Sequence, residues 1–254
     1  MEDPRRPALP WRRLQEMGER HRRCHHQQPA QVSMMRKPLF GALVLGLTAQ
    51  FSVHAAEPKL YPTGPSEDSA FIRFVGALDA PIEVRAGKDG RIELAAHDST
   101  TWQAVKAHSP LGATLVHGGQ NQAVDVSVQP GEFVTVAALP DDKGGWTAGI
   151  GRESPTDFSA FKVSLGLMNM AEHCSNAAIK IAGKDVAIVE DVAPKGMKRR
   201  QVNPLSLSVD LYCGGQRSGD PVNLGGLRAG ERWTLLVHPA RDGARLIPIL
   251  DRMP

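Results

Sequence analysis

The sequence lacks the short motifs that mark the common catalytic centres of exported enzymes. A nucleophile elbow Gly-x-Ser-x-Gly is absent, and so is a Gly-Asp-Ser block followed by Asp-x-x-His, the pattern of extracytoplasmic SGNH acetyltransferases. No phosphate-binding loop of the Walker type occurs. The histidines that follow residue 55 are scattered along the chain: His97, His108, His117, His173 and His238. These absences argue against an enzyme and against a cofactor, although a triad assembled from distant residues stays an alternative.

Cysteine is also scarce, with three in 254 residues. Neither Cys174 nor Cys213 has a Cys-x-x-Cys partner or a histidine at zinc-like spacing, so no metal site is expected. In an exported chain the two predict one disulfide. Closing a loop of about 40 residues would stabilise the fold by roughly 3–4 kcal/mol. Two free buried thiols are the alternative.

No apolar run is long enough to cross a membrane comfortably, which takes roughly 20 residues. The uncharged apolar run at 39–49 instead follows a basic segment at 35–37 and precedes Val-His-Ala at 53–55. This layout predicts a signal peptide over 34–55, cleaved after Ala55 or, as the second choice, after Ala56, and export to the periplasm. A buried helix and a retained anchor are the alternatives. Residues 1–33 fit no part of a signal, so we expect translation to start at Met34 or Met35.

An excess of basic charge is missing from the mature chain. Residues 1–55 hold 9 of the 30 Lys and Arg and 4 of the 27 Asp and Glu, which leaves 21 basic and 23 acidic residues, a balance of −2. The positive net charge therefore belongs to the leader, and a nucleic-acid partner is not expected.

What the chain does contain is an internal repeat. Ala-Gly-Lys-Asp at 86–89 returns at 182–185, and Gly-Gly-Gln at 118–120 returns at 214–216, both 96 residues on. Residues 129–135 are echoed by 228–234, 99 residues on. Three matches in order at nearly one offset predict two tandem copies of one fold.

Each copy has the pattern of short strands. Apolar residues alternate with polar ones, glycine-rich turns recur at short intervals, and no segment after the leader keeps a helical period. We predict an all-β chain of two tandem antiparallel β-sandwich domains related by internal duplication, at 60–151 and 158–254, with a linker at 152–157. The predicted strands are 70–75, 81–85, 92–94, 113–117, 123–128, 133–139 and 146–150, then 162–169, 178–181, 186–192, 198–202, 205–212, 222–224, 232–238 and 245–249.

Two sets of side chains are candidates for contact with a polymer or a partner. Exposed cations could pair with the carboxylates of a uronate polysaccharide, and we expect four on one hairpin: Lys195, Lys198, Arg199 and Arg200. Exposed indoles could stack on sugar rings or anchor an interface, and we consider Trp102 and Trp146. The alternatives are a solvated hairpin tip for the cations and sandwich-rim residues for the tryptophans.

The chain resembles the AlgF family of bacterial alginate O-acetylation proteins. The likeness rests on Leu-Tyr-Pro-Thr-Gly-Pro at 60–65 followed by Ser-Ala-Phe-Ile-Arg-Phe-Val at 69–75, on Asn-Pro-Leu at 203–205, and on the Gly-Glu turn before the last strands. The resemblance implies a periplasmic adaptor without a recognised active site. Such adaptors contact a membrane acyltransferase and SGNH-type acetyltransferases, and acetylation requires them. The polymer implied is alginate, with another exopolysaccharide such as cellulose as the alternative.

Three other functions remain open at this point. The protein could bind the glycan and present it to the enzymes, or carry an unrecognised nucleophile for acetyl transfer. It could also be a general periplasmic chaperone or pilus-type sandwich, which would need an exposed edge strand to accept a partner strand.

Overall fold

The computed structural model describes residues 68–87, 90–156 and 158–253. The predicted signal peptide, its cleavage after Ala55 or Ala56, and the segment at 60–65 lie outside the described residues. Within those residues no helix has the length and apolar character needed to span a membrane.

Sixteen strands build the described chain, eight in each copy of the repeat. The first module contains β1 Ser69–Gly76, β2 Ile82–Ala86, β3 Gly90–Leu94, β4 Gln103–Lys106, β5 Pro110–His117, β6 Gln120–Ser127, β7 Phe133–Pro140 and β8 Trp146–Glu153. The second contains β9 Val163–Asn169, β10 Ala177–Ile181, β11 Ala187–Val192, β12 Met197–Val202, β13 Ser206–Cys213, β14 Gln216–Gly226, β15 Arg232–Ala240 and β16 Gly243–Leu250.

The two modules have one topology. In the first, the sheets run β4-β1-β7-β8 and β3-β2-β5-β6; in the second they run β12-β9-β15-β16 and β11-β10-β13-β14. Adding eight to each strand number of the first module gives the strand orders of the second module. The all-β class, the two sandwiches and the duplication are therefore confirmed.

The sheets are not purely antiparallel, which corrects the sequence-based expectation. β1 pairs with β7 in parallel, and β9 pairs with β15 in parallel. In each case the first strand of a module joins the seventh, so the connection between them spans most of the module, as a parallel pair requires.

The repeated sequence motifs are turns that the fold needs twice. Gly118 and Gly119 both have positive φ, and so do Gly214 and Gly215. A two-residue hairpin with positive φ at both positions matches the twist of the strands and favours glycine. The Gly-Glu turn also repeats its chemistry, because Glu132 Oε2 accepts from Gln129 N and Glu231 Oε2 accepts from Arg228 N.

Each module has its own apolar core between its two sheets. Phe74, Leu115 and Val136 are buried in the first core, and Leu165 and Leu235 in the second. Burying a side chain of this size contributes about 1.5–3 kcal/mol.

The predicted disulfide is confirmed. Cys174 and Cys213 are bonded; they are 39 positions apart in sequence and their Cα atoms are 4.7 Å apart. Cys174 is buried in the second core, and Cys213 ends β13. The bond ties the loop before β10 to that strand, beside a hydrogen bond from Gly214 N to Ser175 O.

Candidate functional site

The two modules meet face to face, sheet β4-β1-β7-β8 against sheet β12-β9-β15-β16. The apolar part of this junction is a separate buried cluster of Val75, Ala77, Ala137, Leu139, Met168, Met170, Leu236, Ile247 and Ile249. Glycines on β8 make the close approach possible. A Cβ at Gly151 would overlap Met168 and Met170, and one at Gly149 would overlap Leu139.

A buried group of charges lies beside that apolar cluster. Arg73 of β1 donates from Nη1 to Asp251 Oδ1 at 2.6 Å and from Nε to Thr135 Oγ1 at 2.9 Å. Arg199 of β12 makes a two-bond pair with Glu153, at 2.7 and 2.9 Å, and also reaches Asp251 at 3.1 Å. Each module thus pairs an arginine with a carboxylate of the other module.

These pairs follow the repeat. Thr135 and Thr234 are the last residues of the repeated segments 129–135 and 228–234. In the parallel strand pairs, Thr135 lies opposite Arg73 and Thr234 lies opposite Gly166. Gly166 in turn lies opposite Arg199 on β12. A Cβ at Gly166 would press on the Arg199 guanidinium. The second module therefore has glycine where the first has Arg73, and Arg199 occupies the space.

Burial and ion pairing act in opposite directions on the two arginines. Burial lowers the pKa of Arg73, although Asp251 opposes the shift. Burial also acts to lower the pKa of Arg199, but the pairs with Glu153 and Asp251 outweigh it and raise that pKa. Both guanidinium groups stay charged, because arginine side chains do not lose their proton in folded proteins. A buried charge of this kind needs its partner.

Trp102 and Trp146 are both buried, at 2% and 5% exposure. The Arg73 guanidinium stacks 4.2 Å from the Trp102 ring, and Phe133 meets that ring edge-on at 5.0 Å between ring centroids. Trp146 packs in the first core. The expectation that these indoles face a sugar or a partner is wrong, because neither ring has an open face.

The four predicted cations do not form one patch. Lys195 lies in the turn before β12 and pairs with Glu172 at 2.9 Å. On β12 successive side chains alternate between faces, so Arg199 points into the junction. Lys198 and Arg200 turn to the other side. The prediction of a four-cation hairpin surface is therefore wrong for Arg199, and Lys195 stands apart from the other two.

Lys198 and Arg200 close the edge of the second sandwich. Lys198 Nζ donates to Glu190 O, and Arg200 Nη1 donates to Ala187 O and Ile188 O, all on β11. The outward carbonyls of an edge strand are thereby covered, which is one way in which sheets avoid unwanted pairing. Because the partners are carbonyl oxygens, no carboxylate neutralises the charge of Lys198 or Arg200 in these contacts.

Two clefts open at the junction, one near each end of β8. The cationic cleft, of about 450 Å³, is lined by residues 152–156, Ser164 and residues 197–201. The acidic cleft, of about 520 Å³, has an apolar floor and an acidic rim. Its lining is Leu139, Pro140, Asp141, Asp142, residues 147–150, Met170, Glu172, His173, Lys195 and Pro239.

Comparison with known proteins identifies the family of this chain. The family model described as "Alginate O-acetyl transferase AlgF" matches residues 42–232, about three quarters of the chain. The chain belongs to the AlgF family.

Curated AlgF proteins align over most of their length. An alginate biosynthesis protein AlgF of Pseudomonas aeruginosa is 26% identical over 215 residues, covering 84% of this chain and 91% of that protein. The one of Pseudomonas syringae pv. tomato is 26% identical, covering 84% and 90%. A solved structure of the C-terminal domain of AlgF from P. aeruginosa is 24% identical over 35% of this chain and 97% of that domain, with a TM-score of 0.30.

The junction of this AlgF chain was missed by the sequence analysis. Arg73, Glu153 and Asp251 are far apart in sequence, and no local pattern links them. One signal was available: the third repeat ends on Thr135 and Thr234, the two threonines that contact the junction charges. Among the described residues, no group of three or more His, Cys, Asp and Glu side chains is arranged to hold a metal ion.

Two histidines of this AlgF chain meet across the junction. The rings of His97, in the first module, and His238, on β15, lie 5.8 Å apart, and His97 Nε2 is 3.3 Å from Asp79 Oδ1. His238 is 5% exposed, and its Nδ1 has no hydrogen-bond partner. Burial, with a smaller effect from His97, lowers the pKa of His238 to about 4.

We predict that this histidine makes the fold acid-sensitive. Because the pKa is depressed in the folded state, the unfolded chain takes up the proton first, and stability falls as the pH drops from about 6.5 to about 4. The loss attributable to His238 is about 3 kcal/mol. Urea unfolding of the wild type and of His238→Gln across that range measures it. The variant should lose much less stability on acidification, and equal losses would contradict the assignment.

Proposed function

We propose that this AlgF-family chain is a periplasmic adaptor in the O-acetylation of an exopolysaccharide, with alginate as the polymer. In this proposal it contacts the acetyltransferase components and makes or breaks no bond itself. The family is named for alginate O-acetyl transfer and its relatives are alginate biosynthesis proteins, which supports the pathway. The missing nucleophile motifs support a role in binding rather than catalysis.

The observation that carries the adaptor role is the junction between the modules. The paired charges Arg73–Asp251 and Arg199–Glu153 hold two like sandwiches in a fixed relation. The same junction forms two clefts of different charge. Ordering two surfaces in advance lowers the cost of binding partners, because less freedom is lost on association.

Glycan binding is a second candidate, supported by the cationic cleft. Lys198 and Arg200 line it and point toward β11 carbonyls rather than carboxylates, so a uronate carboxylate could compete for them. Titration of the purified protein with uronate oligosaccharides tests this role. No binding at millimolar ligand would remove it.

Deleting the gene is expected to abolish polymer acetate while polymer yield stays close to normal, because an adaptor for acetylation is not needed for chain synthesis. Acetate per uronate residue and total polymer are measured in the same cultures. A wild-type copy starting at Met34 should restore acetate, and a copy that lacks residues 1–55 should not. Normal acetate in the deletion strain would refute the proposal.

A further inference from the structure

Strand β8 is an edge strand with a partly open side. It pairs with β7 alone, at the end of sheet β4-β1-β7-β8. Near the start of β8, the side-chain amide of Gln122 contacts its backbone. Gln122 Nε2 donates to Trp146 O at 2.6 Å, and Gln122 Oε1 accepts from Ala148 N at 2.9 Å. These contacts identify which backbone groups face away from β7.

Because backbone groups of every second residue in a strand point the same way, the N–H and C=O of Ile150 also point away from β7. Gln122 reaches only as far as Ala148. Among the described residues, no backbone or side-chain group outside the β7–β8 ladder bonds the backbone of Ile150. Its side chain is 38% exposed.

The edge strand of the second module that corresponds to β8 is β16, where Pro248 holds the position of Ile150 and has no N–H. Ser218 Oγ of β14 bonds both the N and the O of Ala244 on β16. Lys198 and Arg200 cover the carbonyls of β11. An uncovered edge is a template for another strand, so the stretch of β8 around Ile150 is a place where the described part of the chain leaves a strand position open.

The two clefts flank that stretch and differ in charge. Residues 147–150 line the acidic cleft, beside Asp141 and Asp142 and beside Glu172, which pairs with Lys195. Arg152, Glu153 and Arg199 line the cationic cleft, and Lys198 and Arg200 border it on the side of β11. A strand lying along β8 would therefore have one end near acidic groups and the other near basic groups.

We propose that the free edge of β8 binds an extended segment of a partner protein as an added antiparallel strand. An antiparallel strand can exchange both hydrogen bonds with Ile150 through a single residue. Its first residues then lie in the cationic cleft and its last in the acidic cleft. The segment recognised is acidic at its N-terminal end and basic at its C-terminal end. Between them, apolar and polar side chains alternate. This inference rests on the proposed adaptor function and names its docking surface.

Synthetic peptides test the proposal with the whole mature protein. The probe has about seven residues: two acidic residues, an alternating Val-Thr-Val centre and two lysines, with a fluorophore for anisotropy. Its reversed sequence is the matched control. We expect the acid-first peptide to bind about tenfold more tightly than the reverse. Equal binding of the two, or no binding at millimolar peptide, would overturn the proposal.

Backbone changes separate strand addition from simple charge attraction. Methylating the amide of the central peptide residue removes the donor to Ile150 O, and methylating the next amide does not, so only the first change should abolish binding. On the protein side, Ile150→Pro removes the outward N–H without breaking the β7 ladder, and Ile150→Val is the control. Binding that survives both the central methyl group and Ile150→Pro would contradict the inference.

The failure of this inference is distinguishable from the failure of the adaptor role. In the deletion strain, Ile150→Pro should leave polymer acetate low, whereas Ile150→Val should restore it. If Ile150→Pro restores acetate fully, the β8 surface is wrong and the adaptor role stands. If the purified protein forms a dimer that Ile150→Pro converts to monomer, the edge serves a second copy of this chain and the proposal is wrong.

Discussion

Replacing Asp251 by alanine is expected to lower the free energy of unfolding by about 3–5 kcal/mol. The side chain of Asp251 is almost fully buried and contacts Arg73 and Arg199 at 2.6 and 3.1 Å. Its removal leaves Arg73, which is 1% exposed, without a counter-charge. Urea unfolding at neutral pH measures the change.

Asp242→Ala is the control for that experiment. Asp242 pairs with Arg245 at 3.0 Å, but both side chains are exposed, and an exposed pair contributes about 0–1 kcal/mol. The double change Asp251→Ala with Arg73→Met should recover part of the loss, because it removes the unpaired buried charge. If Asp251→Ala is no more harmful than Asp242→Ala, the junction does not hold the modules as described.

Loss of the disulfide is expected to cost about 3–4 kcal/mol, the entropy of opening a loop of this length in the unfolded chain. The test replaces Cys174 and Cys213 together by alanine and compares urea unfolding of the oxidised proteins. Reductant should lower the free energy of unfolding of the wild type toward that of the variant and leave the value of the variant unchanged. If reductant does not change the stability of the wild type, and the variant is equally stable, the disulfide does not stabilise the fold.

The fold was largely predictable because each strand carries its own signal. Alternation and turn glycines located fifteen of the sixteen strands, and the tandem repeat predicted two like modules. β4 was missed since Gln103–Lys106 is short and its only apolar residues are Ala104 and Val105. β8 runs to Glu153, three residues beyond its predicted end, because pairing with β7 continues there.

The site was less predictable because it depends on packing between modules. Charge and spacing grouped Lys195 with Arg199, but the pleat of β12 and the missing side chain at Gly166 decide that Arg199 is buried. Trp102 was considered as an exposed indole, yet Arg73 and Phe133 enclose its ring. These partners are distant in sequence, so local composition contains no information about them.

Intact mass measurement of the purified mature protein after incubation with a chromogenic acetyl ester tests most directly whether the chain acts by contact alone. The account predicts an unchanged mass and no release of chromophore above the uncatalysed level. An acetyl adduct, or release that a single Ser→Ala change abolishes, would contradict it.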